Sequence, residues 1–532
     1  MGARALLLGL DGATFKLIDA LGDRLPNLAR LSRQGVRAVL RSTTPPMTLP
    51  AWSSIITGVG PGTHGIYDFV RRSPGRYALE FQHAGHRRVP TIFKLLSDRG
   101  HRVCSVAMPT TWPPEPLDGV MIAGFDSPVA TTAEAMHCRP RALWDEIERR
   151  FGGLAFAGAQ EGDTGGNWHA RTLPRLLREI ARKEALCRWL LDREEWTLFS
   201  VVFGESDTVA HHYWAFADRR SPRHVPSGDP ALSQAIAEVY QRLDWAVGEL
   251  ASRAHVVCVA SDHGFGGAGD RVLYINRYLE SVGLLRFRPG VASPGDKLRT
   301  LATKLPVERL IRRMPAALLG EAETLARYGD IDFSRTRAWS DELNYAATVH
   351  LNLRGRDPQG LDVTEQEIVD ALLAWRVEDL PVVSRVHRAN QLWGASRGPG
   401  SPDLVLDLAL REGYSPVVLP SSRVPSGTTW RRLQAAEYLG AKGLGMNGSH
   451  RPEGVLLVDG ADRGDPGEAS VVDVTPTLLA ALDEPIPEHV EGRSLLRGRG
   501  DRAAAAAEAP RGKLTPAQSR QLGERLRALG YL

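Results

Sequence analysis

The stretch Ala3-Arg4-Ala5-Leu6-Leu7-Leu8-Gly9-Leu10-Asp11-Gly12 is the part of the sequence that decides the fold. It is a short, nearly continuous apolar run that stops at an aspartate and a glycine. A strand that is apolar on both faces is typical of a buried parallel sheet, and a loop follows at its carboxyl end. The run therefore predicts the first strand of a sheet covered by helices, with Asp11 at its carboxyl edge.

The same pattern recurs along the chain. Strand-like runs lie at residues 36–41, 102–108, 196–203 and 255–260, and helical patterns at 25–34, 91–98, 173–191 and 230–253. This alternation predicts an α/β fold with a doubly wound, mostly parallel sheet. The pattern weakens at about 286, and strands return at 403–408 and 454–458. We therefore predict a core in two parts (1–285 and 401–500), an inserted cap (286–400), and a linker with a C-terminal helix (501–532).

The composition excludes several classes of protein. The chain has 532 residues, 43% hydrophobic and 24% charged, with a net charge of +4, which is ordinary for a soluble globular protein. Its basic residues form no stripe with interleaved aromatic residues, so nucleic acid is not an expected partner. The four cysteines form no CxxC pair and indicate core thiols. No segment is long and apolar enough for a bilayer span, and no signal peptide is evident, so we predict a cytoplasmic protein.

A second stretch carries a candidate nucleophile. Pro45-Pro46-Met47-Thr48-Leu49-Pro50-Ala51-Trp52-Ser53-Ser54 is typical of a loop that turns into a helix. Pro50 suits the first helical turn, and Gly58 ends the helix. Thr48 is therefore expected just before a helix N-terminus, where free backbone N–H groups favour an anion. A hydroxyl at this place can attack a phosphate that the N–H groups hold. The alternative is that Thr48 is only a helix cap, which is a common role.

Three strand-like runs are each followed by an aspartate: Asp11, Asp207 and Asp262. Any one of them alone is explained as a turn residue or a helix cap. At the shared carboxyl edge of a sheet, however, three carboxylates repel one another unless a cation joins them. His211 follows Asp207 by four residues, so a helix would place both on one face, and His263 is adjacent to Asp262. Imidazole nitrogens with carboxylate oxygens favour zinc, with manganese or iron as alternatives.

Six segments together carry a family resemblance: LLLGLDGAT, TTPPMTLPAWSSIITGVGPGTHGIYDF, ESDTVAHHYW, SDHGFG, GSHRPEGVLLV and VVDVTPTLLAAL. In this order, over about 480 residues, they resemble the type I phosphodiesterase/nucleotide pyrophosphatase family of the alkaline phosphatase superfamily. The resemblance is greatest to the bacterial branch described as predicted phosphohydrolases or phosphomutases. Residues 286–400 match more loosely.

The resemblance implies an alkaline phosphatase type of fold and a metal-dependent phosphoester hydrolase with two divalent metal ions. The positions that hold one ion are matched by Asp11, Thr48, Asp262 and His263. Those that hold the other are matched by Asp207, His211 and His450. The nucleophile of the family falls on Thr48, so a covalent phosphothreonine would form and water would cleave it. Without the resemblance, a lone histidine such as His450 would not be selected, and His64 is the substitute if His450 lies elsewhere.

One departure from the family pattern concerns the substrate. Nucleotide pyrophosphatases commonly carry an asparagine that contacts the phosphate where this chain has Ala51. Their substrate preference therefore does not carry over, and the expected partner is a small-molecule phosphoester of unspecified class. Two alternatives remain open: a phosphomutase, against which Thr48 argues because the mutase relatives use serine, and a binding protein that has lost catalysis. The second alternative is weakened because all seven metal-site positions are occupied by competent residues.

Overall fold

The structure is a computed structural model that describes residues 4–124, 135–154, 167–227, 229–288, 324, 327–342, 346–394, 397–398, 400–439, 445–460, 467–496 and 502–503. The predicted C-terminal helix, most of its linker and residues 289–323 of the predicted cap lie outside these ranges.

The strands in chain order are β1 (Ala5–Leu10), β2 (Val36–Arg41), β3 (Val70–Arg72), β4 (Leu79–Phe81), β5 (Val103–Met108), β6 (Gly119–Ala123), β7 (Cys138–Arg139), β8 (Leu198–Phe203), β9 (Val256–Ala260), β10 (Gly264–Leu273), β11 (Ala338–Trp339), β12 (Ala347–Leu351), β13 (Arg376–Val377), β14 (Leu380–Pro381), β15 (Val383–Arg388), β16 (Leu404–Leu408), β17 (Ser415–Val418), β18 (Trp430–Arg432), β19 (Gly448–Arg451), β20 (Glu453–Asp459), β21 (Ala469–Ser470), β22 (Ile486–Pro487) and β23 (Arg502–Ala503). The α-helices are α1 (Phe15–Leu21), α2 (Pro26–Gln34), α3 (Thr48–Thr57), α4 (Pro61–His64), α5 (Ile92–Asp98), α6 (Trp144–Phe151), α7 (Trp168–Arg193), α8 (Glu205–Ala217), α9 (Pro230–Ala251), α10 (Ile275–Ser281), α11 (Glu365–Ala374), α12 (Ala389–Trp393) and α13 (Val474–Ala481).

A nine-stranded sheet forms the centre of the molecule, in the order β21-β2-β20-β9-β1-β8-β5-β6-β7. The five consecutive strands β9, β1, β8, β5 and β6 are parallel, whereas β20 and β7 run antiparallel to their neighbours. Alternate residues of β1 face two separate buried clusters, one containing α7 and α9 and the other α3 and α13. The doubly wound, mostly parallel α/β fold predicted from the apolar runs is thus confirmed.

The helix after the Pro45-Pro46 stretch differs in its start from the prediction. The N–H of Ala51 donates to the carbonyl of Met47 at 3.0 Å, so α3 begins at Thr48 and Pro50 is its third residue. Proline is tolerated there because an N–H in the first turn has no intrahelical acceptor. Gly58 ends the helix with a φ of 72°, as expected for a left-handed C-terminal residue. Thr48 is therefore the first residue of the helix rather than the residue before it.

A second, four-stranded sheet has the order β11-β12-β16-β15. It contains Leu404–Leu408, the strand that the sequence pattern assigned to the second part of the core. Residues of this sheet, including Trp339, belong to the same buried cluster as Met47 and Leu49, which flank Thr48. The inserted region and the Thr48 loop therefore contribute to one hydrophobic core, while the domain limits at 285 and 400 stay predictions.

Two expectations from composition have outcomes in the structure. All four cysteines are buried and free, as expected for core thiols. Among the helices of the described ranges, none has both the length and the apolar character that a membrane crossing requires. The cytoplasmic location stays a prediction.

Candidate metal centre at the carboxyl edge of the sheet

Three adjacent parallel strands bring the predicted aspartates together. Asp11 directly follows β1, Asp207 lies in the first turn of α8 just after β8, and Asp262 follows β9. Because β9, β1 and β8 are neighbours, their carboxyl ends meet. The turn after β1 requires a glycine: Gly12 has a φ of +66°, and a Cβ there would lie 2.8 Å from the ring of Phe265. The predicted carboxylate edge is therefore present.

The first cluster contains Asp11, Asp262 and His263, with one ligand atom from each residue within 4.8 Å of the others. His263 Nε2 lies 3.6 Å from Asp11 Oδ1 and 3.3 Å from Asp262 Oδ2. The hydroxyl of Thr48 is 3.5 Å from the same nitrogen. All four side chains are buried. Thr48 thus reaches the first cluster from the start of α3.

The second cluster contains Asp207, His211 and His450, again within 4.8 Å. Asp207 Oδ1 lies 3.3 Å from His211 Nε2 and 3.4 Å from His450 Nε2. Asp207 and His211 share a face of α8 because they are four residues apart on a helix. His450 is supplied by β19, which pairs with β10, and its ring stacks on His263 with centroids 3.6 Å apart. The structure therefore brings all seven predicted side chains to one place, in two adjoining clusters.

One oxygen of each aspartate is buried and has no hydrogen-bond donor among the described residues: Asp11 Oδ1, Asp207 Oδ1 and Asp262 Oδ2. Asp11 Oδ2 accepts from Trp52 Nε1 at 3.0 Å, and Asp262 Oδ1 accepts from the N–H of Gly12 at 3.1 Å. The oxygens without a donor are those that face the histidine nitrogens. A buried carboxylate oxygen is costly unless it is paired, so their arrangement fits a bound cation.

The three histidines share a bonding pattern that also fits a cation. Each Nδ1–H donates to a backbone carbonyl oxygen: His211 to Gly448 at 2.9 Å, His450 to Pro46 at 2.9 Å, and His263 to Gly264 at 3.1 Å. A carbonyl only accepts, so we assign the proton to Nδ1 and a lone pair to each Nε2. The Nε2 atoms of His211 and His450 are 3.0 Å apart, and two facing lone pairs repel each other. A metal ion between them removes this repulsion.

The electrostatics of the clusters reflect their burial. Burial, with Asp262 and Asp207 adding, raises the pKa of Asp11, and burial with Asp207 likewise raises the pKa of Asp262. Burial alone would raise the pKa of Asp207, but the positive charge of His211, and then of His450, outweighs burial and lowers that pKa when the two rings are protonated. Without a cation, burial and mutual repulsion therefore make ionisation of the carboxyl groups in the first cluster less favourable, and a divalent ion would offset this cost.

His64 does not join either cluster. Its Nδ1 accepts from the N–H of Ile66 at 3.1 Å, and its Nε2 lies 3.0 Å from the hydroxyl of Ser54. Burial, followed by the charge of Arg87, lowers its pKa to about 3. His64 therefore joins α3 to the segment after α4 and is not needed as a substitute for His450.

Three contacts at the site were missed from the sequence. Trp52 is fully buried in the core, and its indole N–H also donates to Asp11. Ser206 Oγ donates to the carbonyl of Asp11 at 2.7 Å, and Lys183 Nζ lies 3.1 Å from both carboxylate oxygens of Glu205. The position of Trp52, one turn after Thr48, was a usable signal. Lys183 comes from another helix, and nothing in its local sequence marks it.

Comparisons with known proteins agree with the fold. The family model described as "Type I phosphodiesterase / nucleotide pyrophosphatase" matches residues 5–416. Two similar solved structures are of phosphonoacetate hydrolase from Sinorhizobium meliloti 1021, in complex with phosphonoacetate (TM-score 0.51) and with phosphonoformate (TM-score 0.50). Each of these two structures is 16% identical in sequence to this chain, and the match covers 90% of this chain and 96% of the solved chain. No curated protein matches the chain. At this identity, the structural likeness supports the fold alone.

Proposed function

Because the chain belongs to the type I phosphodiesterase/nucleotide pyrophosphatase family and is a phosphoester-cleaving hydrolase, we propose that it works through a covalent phosphothreonine at Thr48 and two divalent metal ions. The main support for the proposal is the pair of adjoining clusters. In each cluster, the aspartate oxygens that lack a described donor lie close to the histidine Nε2 atoms. The hydroxyl of Thr48 lies at the edge of the first cluster.

The donor set fits the proposed ions. Asp11, Thr48, Asp262 and His263 would hold one ion, and Asp207, His211 and His450 the other. Nitrogen and oxygen ligands together favour Zn²⁺, with Mn²⁺ or iron as alternatives. When bound, such ions acidify a hydroxyl and neutralise charge on phosphoryl oxygens.

The protein's own groups then position the phosphoryl group. The N–H groups of Thr48 and Leu49 precede Ala51, the first residue whose N–H bonds within α3, so both are free to meet phosphoryl oxygens. The bond from Thr48 Oγ1 to phosphorus forms as the bond to the leaving oxygen breaks, and the leaving group departs with a proton. Water then attacks phosphorus, the bond to Thr48 Oγ1 breaks, and a proton returns to the hydroxyl.

The test is to trap the covalent intermediate. The enzyme is mixed with aryl phosphate monoesters, diesters and phosphonates in the presence of Zn²⁺ or Mn²⁺, quenched, and digested for mass spectrometry. We expect a phosphorylated peptide that contains Thr48. Thr48→Ala should abolish turnover while the chain stays folded and still binds metal, and Thr48→Ser should retain measurable activity because a hydroxyl remains. Near-wild-type rates for Thr48→Ala would eliminate the covalent mechanism.

A further inference from the structure

A buried ion pair adjoins the second cluster, because one of its members lies two residues before Asp207 in the sequence. Lys183 of α7 and Glu205 of α8 have side chains that are 2% and 0% exposed. Lys183 Nζ donates to the carbonyl of Val202 and to both carboxylate oxygens of Glu205, each at 3.1 Å. These bonds engage all three protons of the Lys183 ammonium group and both carboxylate oxygens of Glu205. The pair is a rigid, fully bonded unit.

The ion pair anchors the turn between β8 and α8, on which Asp207 lies. Only Gly204 separates the end of β8 from the start of α8. Glu205 is bonded to α7, and Ser206 is bonded to the carbonyl of Asp11 at 2.7 Å. Asp207 follows immediately, and in the part of the chain that the structure describes no hydrogen-bond donor holds its Oδ1. The position of this ligand is therefore set by the backbone that Glu205 and Ser206 fix.

The pair also has an electrostatic role. Glu205 adds a fourth carboxylate beside the three aspartates; it is fully buried and lies two residues before Asp207 in the sequence. Left unpaired, it would repel the carboxylates of the clusters or compete with Asp207 for the ion. Lys183 neutralises Glu205 and draws it towards α7 and the end of β8. Removing one partner alone would leave an uncompensated buried charge, which typically costs about 3–5 kcal/mol.

We propose that Lys183 and Glu205 are positioning residues that set the metal affinity of the Asp207–His211–His450 cluster. The inference rests on the proposed function, because it presumes that this cluster holds an ion. Groups that orient metal ligands without touching the metal typically change affinity by about 10–100-fold when they are replaced. A loss in this range is expected for one ion only.

The test uses the double variant Lys183→Met/Glu205→Gln, which removes both charges and keeps the side-chain volumes. The matched control is Arg72→Met/Asp357→Asn. That pair is also buried, with side chains 5% and 2% exposed, and the structure gives it no bond to any of the seven cluster residues. Zn²⁺ is titrated calorimetrically into each full-length protein, bound metal is counted, and the thermal midpoint is measured in EDTA.

We expect the wild type and the control to bind two ions each. In the Lys183/Glu205 variant, the affinity for one of the two ions should be about 10–100-fold lower. The midpoints of the two variants in EDTA should fall by similar amounts. Two ions with wild-type affinities in the Lys183/Glu205 variant, or an equal loss of metal in the control, would overturn the positioning role.

Two further outcomes separate this inference from the proposed function. A wild-type chain that binds no divalent ion overturns both, whereas a two-ion wild type with an unchanged variant overturns only the role of the pair. Should the double variant not fold, Lys183→Arg serves instead. It keeps the charge, but a planar guanidinium cannot reproduce the three bonds of the ammonium group, so weaker binding of one ion is expected. Wild-type affinity in Lys183→Arg would refute the inference.

Discussion

Asp262→Asn should stabilise the metal-free protein while it weakens metal binding. The ligand oxygens of Asp262 and Asp11 lie within 4.8 Å of each other, and both side chains are buried. Coulomb's law at 4.8 Å, with an effective dielectric constant of about 20, gives about 3 kcal/mol of repulsion. Asparagine keeps the acceptor for the N–H of Gly12 and removes the negative charge that faces Asp11. The expected gain is up to about 3 kcal/mol, since protonation of either carboxyl relieves part of the repulsion.

The order of stability should reverse when metal is added. An ion that binds only the folded state stabilises it by about 2.7 kcal/mol when its concentration is 100 times the Kd. The wild type gains this energy, whereas Asp262→Asn loses a charged ligand and gains little. Urea unfolding of both proteins at pH 7, once in EDTA and once with Zn²⁺, measures the two differences. We expect the variant to be the more stable protein in EDTA and the less stable one with Zn²⁺.

Asp341→Asn is the matched control, because Asp341 is buried but has partners. Its carboxylate lies 3.0 Å from His350 Nε2 and also accepts from the hydroxyl of Tyr328. Burial alone would raise its pKa, but His350 and these hydrogen bonds lower it to about 2. Asparagine should therefore destabilise the protein at this position, with or without metal. If Asp262→Asn is also less stable than the wild type in EDTA, the account of the first cluster as a repulsive, cation-requiring site is refuted.

Three other substitutions have calculable effects. Trp52→Phe removes the indole donor to Asp11, a bond to a charged group worth about 1.5–3 kcal/mol, and calorimetric titration should show weaker Zn²⁺ binding. Asp68→Asn removes a carboxyl whose pKa is raised to about 7 by burial and then by Asp341. A carboxyl group with a raised pKa stabilises the folded state fully below about pH 4, and this stabilisation is lost as the pH rises through 7. In urea unfolding between pH 4 and 8, the free energy of unfolding of the wild type should therefore fall by up to about 4 kcal/mol relative to that of the variant. Ala51→Asn adds an amide beside the phosphoryl site, and kcat/KM for a nucleotide diester should rise about 5- to 150-fold, equivalent to 1–3 kcal/mol.

Each of these expectations has an outcome that contradicts it. The control for Trp52 is Trp112→Phe, because Trp112 is also buried and its indole nitrogen has no hydrogen-bond partner within the described ranges. Equal losses of Zn²⁺ affinity in the two variants would show that the bond to Asp11 has no role. For Asp68, a difference from wild type that does not change with pH would contradict the raised pKa. For Ala51, high efficiency on the nucleotide diester that asparagine leaves unimproved would remove the argument from the missing donor.

The parts of the site that were predictable follow from local patterns. β1, β8 and β9 are apolar on both faces, so their carboxyl ends had to meet at one buried edge. Asp11 directly follows β1, and Asp262 follows β9 after one serine. Asp207 and His211 lie on one face because helical spacing alone decides it.

Other features depend on contacts that are distant in sequence. His450 reaches the site because β19 pairs with β10, and no local pattern specifies the register of that pair. The strand at Leu404–Leu408 has the same apolar pattern as a core strand, yet it pairs with β12 and β15. Lys183 lies within a long amphipathic helix, and only the fold places it against Glu205.

One hydrogen bond joins the loop that carries Thr48 to the second cluster. By distance its hydroxyl belongs to the first cluster, 3.5 Å from His263 Nε2. The loop that carries it is also bonded to the second cluster, because the carbonyl of Pro46 accepts from His450 Nδ1 at 2.9 Å. The same bond fixes the tautomer in which His450 Nε2 faces Asp207. This contact therefore couples the loop that holds the proposed nucleophile to the orientation of the His450 ring, so a shift of the Thr48 loop should disturb both clusters at once.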